Sequence, residues 1–575
     1  MIYFNSRNED FKAPFGAVNT NSTVTFRILA EGNPFAVFFV ADGKKLPMEN
    51  MGDNMFEVKY KAPSSGCLVY YHFEIQYEKS VIYGNNEALF GGEGREGGGD
   101  YQLTVFEDTL VPDWVKGAVC YQIFPDRFYR DGAVLSPKPN SFLYGSWDDI
   151  PMYVKMPDGS IPRWDFFGGN LSGIEKKLDY LESLGINLIY LNPIFAARSN
   201  HRYDTADYMS VDSMLGGDDA LKSLIDAAHK RGIKVILDGV FNHTGCDSIY
   251  FDFYDKYGSG AYHNEDSPFR SWYTFTENGY ESWWGVGDLP AVNETEKSYM
   301  DYIISGENSV IKKWFSYGID GWRLDVADEL PDEFLSLFTK ECKKINPASY
   351  VVGEVWEDAS NKVSYGKLRP YFTKQELDGV MNYPFRDTLL SFVKGEVSAH
   401  QASEKLMSIC ENYPSSCLAG SLTLLSTHDS ERIITATGSK AAVLNLAKLQ
   451  FVFSGIPVIY YGDETGVPGG KDPDNRRTYP WGKEDESMID EFKKLVKMRK
   501  SEKLLTDGRL WIGSFGEDII FIKRFNDSSA IYAFFNRSEN EIAIPWGEKL
   551  TDMETGEECK NSVLLKPFSV KFCRA

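Results

Sequence analysis

Residues 318–329 read GIDGWRLDVADE, and two of them are placed to do chemistry together. The run predicts a short strand over 319–325. Side chains alternate faces along a strand, so Arg323 and Asp325 point one way and Trp322 and Leu324 the other. A guanidinium beside a carboxylate favours the ionised form, the state a nucleophile needs. Alone, an Arg-x-Asp step would be read as a structural ion pair. Other predicted strand ends carry groups of the same kind: Asp238, followed by Asn242 and His243; Glu354; and His428-Asp429. Glu354 follows Val351-Val352 and precedes Val355-Trp356, apolar neighbours that disfavour its charge and suit a general acid. One ionised and one protonated carboxyl about 5–5.5 Å apart are the apparatus of retaining glycosyl transfer.

These residues need elements that bring them to one place. Eight strand candidates run in order over 118–123, 187–191, 234–238, 319–325, 350–354, 379–381, 422–426 and 458–461. Amphipathic helical stretches separate many of them, and those over 173–184 and 220–230 close at Gly185 and Gly232. Eight such units predict an α/β fold, a (β/α)8 TIM barrel, whose active residues sit at the C-terminal ends of the strands. An aromatic-rich tract over about 243–293, after the third strand, is too long for an ordinary connection and predicts an inserted lobe. A second tract, 130–167, follows the first strand.

Residues 1–112 lack helical periodicity and carry short aromatic and β-branched runs between turn signals, the pattern of an N-terminal β-sandwich. The catalytic barrel is assigned to 113–500, and a C-terminal antiparallel β-domain to 501–575. The glycine-rich stretch 91–99 lacks the strand–GxxxxGK[ST]–helix context of a phosphate loop and reads as a surface loop.

Composition narrows the function. At 575 residues the chain holds several domains, and 14% aromatic residues suit stacking on flat ligands such as sugar rings. A net charge of −22 and a pI near 4.9 exclude a polyanionic partner such as nucleic acid. No run is long enough for a membrane span, and the first residues lack the pattern of a secretory signal, so a cytoplasmic protein is expected. The eight cysteines have no CxxC spacing, so neither a zinc site nor a disulfide framework is expected.

GWRLDVADE, GEVW, LLSTHDSER and DGVFNH resemble the ordered motifs of the α-amylase family of glycoside hydrolases. AVCYQIFPDRF, FFGGNLSGI, NHRYDTADY, GIPVIYYGDETG and DPDNRR resemble its neopullulanase, cyclomaltodextrinase and maltogenic amylase branch, over about 113–480. The resemblance implies Asp325 as nucleophile, Glu354 as general acid/base and Asp429 as a third carboxylate that stabilises the transition state. It implies His243, Arg323 and His428 as sugar-binding residues at the cleavage subsite, with Tyr203 stacking on that sugar. Trp356 falls on the leaving-group side, and Asp472 and Arg476 contact sugars toward the non-reducing end.

The expected activity is retaining hydrolysis of α-1,4-glucosidic bonds in cyclodextrins, maltooligosaccharides and pullulan. The alternatives are an α-amylase on long starch chains, an oligo-α-1,6-glucosidase, or an inactive amylase-like binding module. Relatives also imply a homodimer through the N-terminal domain. Three departures bear on specificity and metal. Residues 287–293, GDLPAVN, stand where the branch commonly has MPKLN, and Asp328 stands for the commoner Asn before Glu329. The stretch 129–135, YRDGAVL, with Asn170 where Asp is expected, leaves a calcium site depleted of the carboxylates that calcium prefers. No cofactor is expected to be required, and calcium to be weak or absent.

Overall fold

Strands covered on both faces must be apolar on both, and the short runs of the central sheet are fully buried along their length. In the computed structural model these are β1 Cys120–Ile123, β2 Leu188–Leu191, β3 Lys234–Gly239, β4 Gly321–Leu324, β5 Tyr350–Gly353, β6 Gly379–Val380, β7 Leu422–Thr423 and β8 Ile456–Tyr460. The structure describes residues 1–86, 89–108, 111–134, 137–139, 141–157 and 161–575. The eight strands are hydrogen-bonded in the order β6-β5-β4-β3-β2-β1-β8-β7. A parallel bridge between Met381 and Leu422, with the Asn382 N–H donating to Leu422 O at 2.8 Å, closes the ring.

The pleat sorts the side chains as expected. Cys120, Leu188, Tyr190, Ile236, Tyr350 and Val352 fill the barrel, while Trp322, Leu324 and Val351 face the surrounding helices. Helix Leu178–Leu184 stops at Gly185, whose φ of 81° needs no Cβ to be accommodated, and helix Gly217–Lys230 stops just before Gly232 at φ 73°.

The tract after β3 forms a lobe packed by its own rings, among them Tyr250, Phe251, Trp272, Tyr273 and Tyr280. Bridges from His243 to Ala291 and from Tyr273 to Val292 fold it back onto the barrel mouth. Two antiparallel-rich sheets with a common aromatic core, including Phe4, Phe26, Phe39, Tyr71 and Phe73, precede the barrel. A six-stranded antiparallel sheet, backed by the pair Ile542–Pro545 and Ser562–Leu565, follows it.

The glycine-rich stretch lies at the surface over 93–99, as expected, but it is not all loop. Gly94–Glu96 is a strand paired with Ser80–Asn85, and Gly91 and Gly92 are buried. A Cβ on Gly91 would lie 2.2 Å from Glu411 Oε2, so the glycine makes room for the carboxylate of a helix from the barrel. In the tract 130–167, Phe142–Leu143 pairs with Asp165–Phe166; residues 135–136, 140 and 158–160 lie outside the described residues.

Candidate active site

The register between β3 and β4 sets Asp238 opposite Arg323, two residues ahead of Asp325. Arg323 is fully buried, and its Nη1 donates to Asp238 Oδ1 and to Asp325 Oδ1, each at 2.7 Å. Its Nη2 lies 2.9 Å from Glu354 Oε2. One guanidinium therefore holds the carboxyls that end β3, β4 and β5 together. Val326 follows Asp325 with φ 39°, a left-handed conformation that a β-branched residue adopts only under strain. That turn aims its N–H at Glu354 Oε2, 2.9 Å away. The second oxygen, Oε1, accepts from Trp356 Nε1 at 3.1 Å, and the indole lies flat on Tyr383 with centroids 3.9 Å apart and planes 10° from parallel.

Burial pushes the Asp325 carboxyl well above the usual carboxylate range; Arg323 pulls it down, in the sense the sequence suggests, while Glu354 and Asp238 push it up. Burial also raises Glu354, again opposed by Arg323 and helped by Asp429. Burial, together with the neighbouring carboxyls, thus works against the pull of Arg323 at both groups.

The opposite rim is built on His428. Gln122 Nε2, from β1, donates to His428 Nδ1 at 2.9 Å, which assigns the ring hydrogen to Nε2. His428 Nε2 lies 2.9 Å from Asp429 Oδ2 and also meets the Tyr203 hydroxyl. Burial raises the Asp429 carboxyl, but His428, Arg476 and Arg323 together outweigh it and hold the group below the usual range. Tyr203 lies parallel to His428 at 5.3 Å, and its hydroxyl donates to Asp238 Oδ2 at 2.8 Å. Arg476 donates to His428 O at 3.0 Å and reaches Asp429 Oδ1 at 3.4 Å and Asp472 Oδ1 at 2.9 Å, where the Tyr153 hydroxyl also donates. His243 stacks on Trp283 at 5.2 Å; burial lowers its pKa to about 4, and its Nε2 has no hydrogen-bond partner.

Nine of the ten residues singled out from the sequence thus fall into two groups, one around Arg323 and one around His428, while His243 packs on Trp283. Four partners were given no role from the sequence: Asp238, Gln122, Tyr190, which donates to Asp238 Oδ2 at 2.6 Å, and Asn475, which donates to His428 O at 2.6 Å. Asp238 carried a visible signal, a carboxylate ending a strand. The other three lie inside the barrel or on a distant loop, and only the assembled fold brings them in.

The residues around the stretch 129–134 do not fit calcium. Asn170 Oδ1 caps helix Leu171–Lys176 by accepting from Gly173 N at 2.8 Å, and its Nδ2 donates to Asp131 O at 2.9 Å. The Asp131 carboxylate is taken by Lys176 Nζ at 2.5 Å. An ammonium stands against the one carboxylate this stretch offers, and among the described residues no group of three or more His, Cys, Asp or Glu is placed to hold a metal.

The alpha-amylase catalytic-domain model matches residues 122–502. An amylopullulanase from Thermoanaerobacter thermohydrosulfuricus is 37% identical over 94% of this chain and 43% of that protein. The chain spans 35 to 49% of the length of three such amylopullulanases. A cyclomaltodextrinase from Geobacillus thermopakistaniensis strain MAS1 is 34% identical over 78% of this chain and 74% of that protein. A solved cyclomaltodextrinase structure superposes with a TM-score of 0.73 at 26% identity, covering 100% of this chain and 99% of that one. With the strand-end carboxyls standing where the sequence motifs placed them, and with relatives matched along most of its length, the chain belongs to the α-amylase family.

Proposed function

We propose that the protein is a retaining glycoside hydrolase that cleaves α-1,4-glucosidic bonds in cyclodextrins, maltooligosaccharides and pullulan. The observation that carries this is the single Arg323 guanidinium gripping Asp325 and Glu354. Two carboxyls held on one cation can divide into nucleophile and acid. In this reading Asp325 attacks the anomeric carbon while Glu354 protonates the departing oxygen. Glu354 then takes a proton from water as the glucosyl–Asp325 ester is hydrolysed. Asp429, kept anionic by His428 and Arg476, offsets the positive charge that develops on the sugar ring. Neutral His243, with its free Nε2, and His428 bind hydroxyls of that sugar. Tyr203 packs on its face, Trp356 lies on the leaving-group side, and Asp472 and Arg476 reach sugars toward the non-reducing end. The names of the amylopullulanase and cyclomaltodextrinase relatives support the substrate class.

No calcium is required in this reading, which rests on the Asp131–Lys176 pair. No helix among the described residues is long and apolar enough to cross a membrane; a cytoplasmic location and a homodimer formed through the N-terminal sheets complete the reading.

The test is the product profile from β-cyclodextrin, pullulan and soluble starch. Cyclodextrin opening to maltose and glucose, panose from pullulan and slow attack on starch are expected. Asp325→Asn is expected to lower kcat by about 10⁴-fold or more, the scale seen when a covalent nucleophile is removed. Turnover near wild type in that variant would falsify the assignment. Sedimentation velocity at micromolar concentration tests the dimer, and a lone monomer boundary removes it.

A further inference from the structure

Strand Tyr101–Phe106 of the N-terminal sheets sends Tyr101, Leu103 and Val105 into the sandwich core. The opposite face of such a strand normally meets water, and its residues Gln102 and Thr104 are polar, yet each is only 1% exposed. The segment that follows Glu354 covers them. Gln102 Nε2 donates to Thr104 Oγ1 at 3.0 Å and to Ser360 Oγ at 3.2 Å, and its Oε1 accepts from Asn361 Nδ2 at 3.1 Å. One buried amide of the N-terminal sheets therefore holds two consecutive residues of a barrel segment.

That segment is held along its whole course. It starts at Glu354, whose Oε1 takes the Trp356 N–H, and the Trp356 indole rests on Tyr383. Ala359 N donates to the Tyr413 hydroxyl at 2.9 Å, next to the end of helix Ala399–Asn412. Beyond Asn361, Lys362 Nζ lies 3.3 Å from the Asp328 carboxylate. A hairpin with Tyr365 at its tip, Val363–Ser364 paired with Lys367–Leu368, then ties to the turn after β4, since Ser364 Oγ and Arg369 Nη1 both donate to Asp328 O at 2.7 Å. The general acid thus begins a segment whose middle is gripped by another domain and whose far end reaches the turn that carries Asp325.

We propose that Gln102 is a positioning residue for the hydrolysis, anchoring Ser360 and Asn361 so that Trp356 keeps its N–H on Glu354. This rests on the hydrolase reading above. Gln102 touches no substrate and acts through Trp356, which gives the N-terminal sheets a part in the chemistry of their own barrel. Truncating it leaves Ser360 Oγ without that partner in a seam that excludes water, and the segment relaxes toward solvent. Rate is steeply sensitive to such slack, since a shift of about 1 Å at a reacting group costs on the order of 10²-fold.

The experiment measures kcat, KM and the pH profile of kcat/KM on β-cyclodextrin. Gln102→Ala is expected to lower kcat about tenfold, a partial form of that loss, with KM within about twofold of wild type. An N–H withdrawn from Glu354 raises the pKa of the acid, so the alkaline limb moves to higher pH by about 0.5 unit. In a Trp356→Phe background no N–H remains to withdraw, and Gln102→Ala is expected to add no further shift. Asn361→Ala removes the same contact from the barrel side and reads it even if Gln102→Ala fails to fold; the double variant is expected to lose no more than either single one. An unchanged kcat in both single variants, a limb that stays in place, or a shift that persists in the Trp356→Phe background overturns the proposal. If the wild-type protein opens no α-glucan, the hydrolase reading falls and amide hydrogen exchange decides the anchor separately. Faster exchange over 355–362 in Gln102→Ala, with the barrel strands unchanged, supports it, and unaltered exchange there overturns it.

Discussion

At the scale of single residues, the chemistry turns on what each oxygen of Glu354 receives. Oε2 takes the Val326 N–H and faces Arg323, so the proton that Glu354 gives up is expected to reside on Oε1, beside Trp356 Nε1. An N–H donated to that oxygen stabilises the carboxylate and lowers the pKa of the acid. Trp356→Phe keeps the ring on Tyr383 and deletes the donor. The acid's pKa then rises, so the alkaline limb of the kcat/KM profile on β-cyclodextrin moves to higher pH. Trp356 is 42% exposed, which weakens the bond through solvent, so the expected move is about 0.5–1 pH unit. A limb that stays in place, or moves to lower pH, removes this role. The residues that do the proposed chemistry were legible because a carboxylate at a strand end leaves a mark in the sequence. Their charge states were not. That Arg323 serves Asp238, Asp325 and Glu354 at once depends on the β3–β4 register, which no local pattern encodes. Gln122 and Asn475, which fix His428, look in sequence like any buried polar residues.

At the scale of elements, the barrel strands stand out as short apolar runs, and three of them lead straight into a carboxylate, β3 at Asp238, β4 at Asp325 and β5 at Glu354. The hairpin that carries Tyr365 does not, since it is held by contacts to the β4 turn rather than by its own pattern. The burial of Gly91 in the glycine-rich stretch was not legible, because the side chain that covers it, Glu411, is remote in sequence. The turn after β1 is the element where sequence departure and structure bear on each other most directly. Asn170 there serves helix Leu171–Lys176 as its N-cap, and helix caps contribute about 1 kcal/mol. If that is its work, Asn170→Ala lowers stability by about 1–2 kcal/mol, more than a bare cap because the Asp131 contact is lost as well. Excess EDTA should leave the melting temperature of the wild type unchanged. A large fall with EDTA, restored by calcium, would show that these residues hold the ion after all.

At the scale of the whole molecule, the N-terminal sheets are joined to their own barrel through a buried charge cluster. Arg7 Nε lies 3.1 Å from Glu411 Oε2 and its Nη1 2.8 Å from Glu404, while Lys12 Nζ lies 3.6 Å from Glu411 Oε1. Glu404 and Glu411 both belong to helix Ala399–Asn412, more than three hundred residues further along the chain. The Lys12 ammonium is itself strained, because burial lowers its pKa against the pull of Glu411. Buried pairs of this kind add little over apolar packing, but losing one member strands the other without water. Arg7→Ala leaves Glu411 with Lys12 alone, at a separation too long for a strong bond, and is expected to cost about 3 kcal/mol. The tryptophans make the coupling measurable, since all 12 lie at or beyond Trp114 and none in the N-terminal sheets. Urea unfolding measured by tryptophan fluorescence therefore reports on the barrel and the C-terminal sheet. If the seam binds the N-terminal sheets and the barrel into one cooperative unit, Arg7→Ala lowers that midpoint although the substitution lies outside the region observed. An unmoved tryptophan transition, with loss confined to a separate tyrosine-detected step, would mean that the N-terminal sheets melt on their own. Their hold on the barrel would then be too weak to carry a second subunit against the mouth, and the proposed dimer would need another surface.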